Sequence, residues 1–307
     1  MSSDLRVVSL LPSATEIAVA LGLKPNIVGR SHECDFPAFV GDLPICTSTK
    51  LEKGLQSDEI DKRVQEIVRQ GLSVYEVDTP LLQSLKPDVI LTQSQCAVCA
   101  VTPNDLEEAL ASWIGQKPQL ISLAPDNLDD VWRDFRSVGE AVGRTGEAEQ
   151  VIAGLQERLR KLGEGRKHQP SVAAIEWIEP LMVAGNWVPE LIEIAGGQSL
   201  FAEAGQHSPW LEWDDLLESD PDKIIFMPCG YQIDQTLAEM PTMVKHPHWA
   251  KLTAVKNGEV FLADGHHFFN RPGPRLVESA QIIADILYAE SGDNGDLSKG
   301  WIRWTSE

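Results

Sequence analysis

Arg6-Val7-Val8-Ser9-Leu10-Leu11-Pro12-Ser13-Ala14-Thr15-Glu16 passes directly from a β-type run into a helix start. Val7, Val8, Leu10 and Leu11 suit a buried strand, so Arg6–Leu11 reads as one. Pro12 and Ser13 then open a helix over Ser13–Leu21, and Glu16, three residues after Ser13, completes a capping-box pattern. Gly22 stops it. The same alternation continues down the chain. Strands are expected at Asn26–Arg30, Val74–Val77, Val89–Thr92 and Gln119–Leu123, with a helix over Pro103–Trp113. Strands alternating with helices predict an α/β fold with mostly parallel sheets.

From Leu128 to Leu162 the period changes. Leu128, Val131, Phe135, Val138 and Val142 recur at three and four residues, as do Val151, Leu155, Leu159 and Leu162. That spacing predicts two consecutive helices, interrupted at Gly143-Arg144-Thr145-Gly146. A second α/β set follows: strands at Ser171–Trp177, Lys223–Met227 and Glu259–Ala263, and helices at Val188–Ala195, Asp234–Lys245 (broken by Pro241) and Pro274–Ala289. Pro87-Asp88 before the first-half strand is echoed by Pro221-Asp222 before the second-half one. Both strands lead to polar, cysteine-bearing loops, Gln95-Cys96-Ala97-Val98-Cys99 and Pro228-Cys229-Gly230. Two Rossmann-like lobes are therefore expected, at 1–126 and 167–290, with a long helical linker at 127–166 and a ligand cleft between the lobes. A polar, loosely docked tail at 291–307 follows.

The formal net charge of −20 disfavours nucleic acid and anionic lipid as partners, and no basic cluster offsets it. No stretch approaches the ~18 apolar residues of a membrane span. Met1-Ser2-Ser3-Asp4-Leu5-Arg6 has no secretory n-region, which predicts a cytoplasmic protein, or a periplasmic one if the chain is an engineered mature form. Five cysteines, an odd number, suggest reduced thiols rather than a disulfide framework.

Four constellations carry chemistry. Ser31-His32-Glu33-Cys34-Asp35 gathers imidazole, carboxylate and thiol donors on one loop, unless it is simply a solvated turn. Cys96 and Cys99 can chelate a metal, act in redox chemistry, touch a ligand or pack as inert thiols. Trp177, Trp187, Trp210, Trp213 and Trp249 offer flat contact area for a planar ligand or ordinary packing. Asp264-Gly265-His266-His267-Phe268-Phe269-Asn270-Arg271-Pro272-Gly273-Pro274-Arg275 joins a strand to the last helix. Within it Arg271 can grip an anionic group, and Arg275 can tie the loop to a carboxylate. No GxSxG, P-loop, GxGxxG or HExxH signature is present.

At Val8–Glu16, Ser31–Asp35, Pro87–Gln93, Cys96–Val101, Pro228–Gly230 and Arg271–Arg275 the chain resembles the class III periplasmic-binding-protein-like substrate-binding proteins of ABC importers, in their cobalamin-binding branch. The resemblance spans about residues 6–290. It implies a non-enzymatic small-molecule binding protein, with an ABC permease as partner, acting as a monomer or homodimer. The ligand it implies is a corrinoid, another tetrapyrrole or a metal chelate. The residues assigned to that ligand are Ser13, Thr15, His32, Glu33, Asp35, Gln93, Cys96, Glu176, Trp177, Trp187, Cys229, Phe268 and Arg271. The alternative is a cytosolic metal-binding protein or metalloenzyme holding a transition metal on His32, Cys34, Cys96 and Cys99, with His207 as a further candidate.

Overall fold

The computed structural model describes residues 5–52, 54–70, 73–94, 101, 106, 113, 116–165, 169–290 and 292–305. The chain divides into two units. The first comprises Met1–Leu55, Glu59–Pro125 and Asp129–Gly154; the second comprises Gln56–Asp58, Asp126–Leu128 and Leu155–Glu307. Residues 129–154 of the long helical segment thus cluster with the first unit, and its remainder from Leu155 with the second.

The first unit is built on β1 (Val7–Ser9), β2 (Ile27–Arg30), β5 (Val89–Gln93) and β6 (Gln119–Leu123), in the order β2-β1-β5-β6. All neighbours in it are parallel. A small antiparallel pair, β3 (Thr47–Thr49) with β4 (Tyr75–Val77), lies beside it in sequence. The second unit repeats the plan. β7 (Ser171–Trp177) pairs in parallel with β9 (Gln198–Ser199) and β10 (Lys223–Phe226), and β10 with β11 (Val260–Ala263). β8 (Met182–Val183) adds antiparallel to β7.

The Pro-Asp echo has a structural basis. Asp88 Oδ2 accepts the Arg6 backbone N–H at 2.8 Å, where Val7 of β1 pairs with Val89 of β5. Asp222 Oδ2 accepts the Ser171 N–H, also at 2.8 Å, where Val172 of β7 pairs with Lys223 of β10. In each unit one aspartate satisfies the first donor of the neighbouring parallel strand and sets its register. The central strands are buried on both faces, β1 and β5 in the first sheet and β10 and β11 in the second, as parallel strands require. Ile224, Phe226, Val260 and Leu262 share one core cluster, and the alternate residues Ile225, Phe261 and Ala263 are buried too.

Three expectations are corrected. The helix after β1 spans Pro12–Ala20, with Leu11 as its N-cap and no side-chain cap. Proline takes the first helical turn because its missing N–H costs nothing there, which moves Ser13 inside the helix and leaves no capping box. Pro241 does not break its helix, which runs unbroken over Ile233–Lys245. Pro241 and the preceding-turn residue Leu237 are exposed, so water can take the carbonyl the proline leaves unbonded. The tail is not loosely docked. β12 (Gly295–Asp296) and β13 (Trp301–Arg303) extend the second sheet, β13 antiparallel to β11. Trp301 is 1 % exposed and meets Phe261 edge-on at 5.8 Å. The expected helix Pro103–Trp113 lies outside the described residues except at Leu106 and Trp113. Helices Ser57–Arg69, Thr79–Leu85 and Trp213–Ser219 are additional to those expected.

Trp301→Ala is expected to cost about 3–5 kcal/mol, the range for emptying a buried tryptophan site. Urea unfolding measures it, and a loss under ~1 kcal/mol would mean the tail packs without stabilising. A second expectation concerns Asp134, buried in helix Leu128–Ala141 with no partner for Oδ2 among the described residues. Burial pushes its pKa up to about 7, against the opposing Ala124 N–H and Arg133 charge. A folded pKa above the unfolded one makes its contribution complete below about pH 4 and lost as pH rises through 7. Stability should therefore fall between about pH 4 and about pH 7, and Asp134→Asn should flatten that fall by roughly 1–3 kcal/mol.

Candidate functional site

In each unit the strand order reverses direction at one place. From β1 the chain moves to β2 on one side and later to β5 on the other; from β7 it moves to β9 on one side and β10 on the other. Outside the carboxyl ends of strands at such a switch, open α/β sheets bind ligands. In the first unit that edge carries Ser13 after β1, His32 and Glu33 after β2, and Gln93 at the end of β5. In the second it carries Glu176 and Trp177 at the end of β7, Cys229 after β10, and Phe268 and Arg271 after β11. Cys96 and Cys99 lie outside the described residues.

The loop after β2 is organised by a buried arginine. Arg30 Nη1 donates to the Ser31 and Cys34 carbonyls at 3.0 Å each, and Nη2 to the Gly41 carbonyl at 3.1 Å. The Thr47 hydroxyl lies 2.8 Å from His32 Nδ1 and also accepts the His32 backbone N–H at 3.1 Å. The Tyr75 hydroxyl donates to Glu33 Oε1 at 3.2 Å. Burial, then the Arg30 charge, lowers the His32 pKa, favouring the neutral ring. Asp35 is exposed.

Two residues expected at the ligand or metal turn inward. Thr15 is fully buried, its hydroxyl within 3.2 Å of both the Leu11 carbonyl and Cys34 Sγ. Cys34 is buried beside it. Among the described residues, no group of three His, Cys, Asp or Glu side chains containing His32 or Cys34 brings its ligand atoms close enough for one ion.

In the second unit the Cys229 N–H donates to the Glu176 carbonyl at 2.9 Å, tying the two strand ends across the switch. The Ser208 hydroxyl donates to Glu176 Oε2 at 2.8 Å and accepts the Gly185 N–H at 3.0 Å. Burial raises the Glu176 pKa, opposed by Ser208, by neighbouring His207 and by the Gly185 N–H. Trp177 packs on Tyr231 with ring centres 5.6 Å apart. Tyr231 in turn donates its hydroxyl to buried Glu239 at 2.8 Å. Residues 265–269 form a π-helix turn, with Asp264 capping it and Gly265 pressed on the end of β10. Trp187 is buried and donates its indole N–H to the Phe269 carbonyl at 3.1 Å, so it braces this turn from behind. Arg271 is 3 % exposed and donates to His266 Nε2 at 2.9 Å. Arg275 lies over the Phe268 ring, 5.4 Å from its centre.

Sequence reasoning missed Arg30, Thr47, Tyr75, Ser208, Tyr231 and Glu239. Only Arg30 carried a signal: a cation closing a buried strand needs carbonyl acceptors nearby. The others come from segments distant in sequence.

The family model described as periplasmic binding protein matches residues 7–266. An uncharacterised ABC transporter substrate-binding lipoprotein of Bacillus subtilis is 24 % identical over 297 residues, covering 93 % of this chain and 81 % of that protein. A vitamin B12-binding protein of Pectobacterium carotovorum is 25 % identical over 292 residues, covering 93 % and 89 %. The crystal structure of a possible iron-binding, periplasmic solute-binding protein from Staphylococcus epidermidis superposes with a TM-score of 0.69 at 21 % identity, covering 92 % of this chain and 98 % of that one. These findings overturn the cytoplasmic placement: the matched family is periplasmic and a relative over nearly the whole chain is a lipoprotein. They also remove the ground for the metalloenzyme alternative, since the relatives are binding proteins.

Gly265→Ala tests the packing of the π-helix turn. A Cβ there would stand 2.2 Å from the Pro228 carbonyl oxygen, so backbone must move. The substitution is expected to cost about 1–3 kcal/mol; thermal unfolding within the error of wild type would show the turn to be adjustable.

Proposed function

The chain belongs to the periplasmic binding protein family, a family of binding proteins and not enzymes, and on that premise we propose that it holds a flat tetrapyrrole-type ligand, a corrinoid or haem, for delivery to an ABC permease. One observation carries this reading. At the carboxyl edge of the second sheet an aromatic pair, Trp177 with Tyr231, adjoins Glu176, whose carbonyl accepts the Cys229 N–H, and the Tyr231 carbonyl accepts the His266 N–H of the turn that carries Phe268. Flat apolar area with a few placed polar groups is what a large planar ligand needs. His32, Glu33 and Gln93, the polar residues assigned to the ligand from the first unit, lie at the carboxyl edge of its own sheet. Ser13 belongs to the same set, at the start of its helix. The vitamin B12-binding relative supports the corrinoid choice. Trp187 and Thr15 enter as supports of the site, since their polar atoms are spent within the fold.

Calorimetry and visible spectroscopy with cobalamin, cobinamide and haem test the reading. Saturable binding of at least one at a 1:1 ratio is expected, and Trp177→Ala should weaken it about tenfold, ~1.4 kcal/mol. Absence of heat and of any spectral change with all three would reject it.

A further inference from the structure

Glu176 sits at a break in the strand pairing. Ile175 of β7 pairs with Val183 of β8 and Trp177 with Met182, so Glu176 is the extra residue of a bulge. Bulges re-aim side chains and recur beside functional sites. The Glu176 backbone is tied to the loop after β10, where the Cys229 N–H donates to its carbonyl at 2.9 Å. The segment that meets its side chain is held just as firmly. The Gln206 carbonyl accepts the Asn186 N–H at 2.7 Å, and the Pro209 carbonyl accepts the Val183 N–H at 2.9 Å. Gly185 packs so closely on this segment that a Cβ there would stand 2.6 Å from the Gln206 carbonyl oxygen.

Hydrogen-bond direction then tells the two carboxyl oxygens apart. The Gly185 N–H donates to Ser208 Oγ at 3.0 Å, which leaves the Ser208 hydroxyl proton for Glu176 Oε2, 2.8 Å away. Oε2 is thus an acceptor whatever the charge of the group, and a proton on Glu176 sits on Oε1. Ser208 is the one side chain that hydrogen-bonds Glu176 among the described residues. Burial favours the protonated form. Among the described residues His207 is the titratable neighbour whose charge opposes it. His207 Nδ1 lies 3.0 Å from the Ser208 carbonyl, which only accepts, so Nδ1 carries a proton and the ring is anchored.

Resting on the ligand reading above, we propose that Glu176 meets the ligand as a neutral acid, its Oε1–H donating to a carboxamide oxygen on the ligand's rim. Glu176 is then a specificity-determining residue that favours carboxamide-rimmed corrinoids over carboxylate-rimmed haem, and Ser208 is its positioning residue. A carboxamide oxygen is a neutral acceptor and leaves the acid its proton. A carboxylate in the same place would bring a negative charge beside a group whose own ionised form is already disfavoured by burial.

The test is calorimetry with cobalamin, cobinamide and haem across a range of pH, joined to infrared difference spectra of the complexes. Wild-type affinity for both corrinoids should hold at low pH. It should fall about tenfold per pH unit once Glu176 ionises in the free protein, with up to about one proton taken up on binding. Glu176→Gln keeps a donor and an acceptor but no titrating proton. Its corrinoid affinity should stay within about threefold of the wild-type low-pH value and lose its dependence on pH. Glu176→Ala should bind about tenfold more weakly at low pH. The Ser208 bond and the His207 charge both lower the Glu176 pKa, so Ser208→Ala and His207→Gln should each move the midpoint to higher pH. The infrared band of a protonated glutamate should appear in the wild-type corrinoid complex and vanish in Glu176→Gln. If the Glu176 variants do not fold, carbon-13 labelling of glutamate in wild type identifies that band directly. A corrinoid complex without the band, a pH dependence that survives in Glu176→Gln, or haem bound more tightly than both corrinoids overturns the neutral-acid role and leaves the ligand reading standing. Failure of wild type to bind any of the three overturns both.

Discussion

Both sheets depend on one hydrogen bond made twice. An aspartate just before a buried strand accepts the first N–H of the parallel neighbour, Asp88 from Arg6 and Asp222 from Ser171. A parallel strand cannot be registered by a tight hairpin, because its partner arrives after a long crossover. The aspartate supplies that register. With the starts of the strands aligned, their carboxyl ends align too. The end of β7 then meets the loop after β10, where the Cys229 N–H reaches the Glu176 carbonyl. A one-residue slip would turn every side chain on that edge to the opposite face.

The same bond makes the internal repeat visible. The orders β2-β1-β5-β6 and β9-β7-β10-β11 are equivalent, each with a proline-led helix after its first strand, Pro12–Ala20 and Val188–Ile194. The additions differ. The second sheet gains β8 at one side and the antiparallel β13 and β12 at the other. Trp301, buried against Phe261, and Trp304, edge-on to Trp249, show why a largely polar tail can still be ordered. Burying a tryptophan removes a large apolar area from water, and pairing with β11 and β12 satisfies the backbone groups of the short strand.

How much the sequence disclosed follows from which forces act locally. Ser171–Trp177 and Gln119–Leu123 match their observed strands, because short apolar runs bounded by turns leave a local signature. The break between the long helices was legible in the glycines flanking Arg144 and Thr145. The capping box was not, because Ser13 and Glu16 fit a pattern that Pro12 had already displaced by one residue. The site was legible as types of residue on loops, but not as contacts. His32 depends on Thr47, Glu33 on Tyr75, and Glu176 on Ser208, and no local spacing connects those pairs. Thr15 and Trp187 illustrate the opposite error: residue types suited to a ligand, turned into the fold where their donors meet backbone carbonyls.

The electrostatics of the two edges run against the protein's acidity. The chain carries a formal charge of −20, yet burial raises the pKa of Glu176 and lowers that of His32. Each shift disfavours the charged form of its group. An acid that retains its proton more readily and an imidazole that loses it more readily leave hydrogen-bonding groups of reduced charge at the strand ends. Such groups lose less on desolvation against a large apolar surface than ionised ones would. Arg271, buried at the second edge, donates to His266 Nε2 at 2.9 Å.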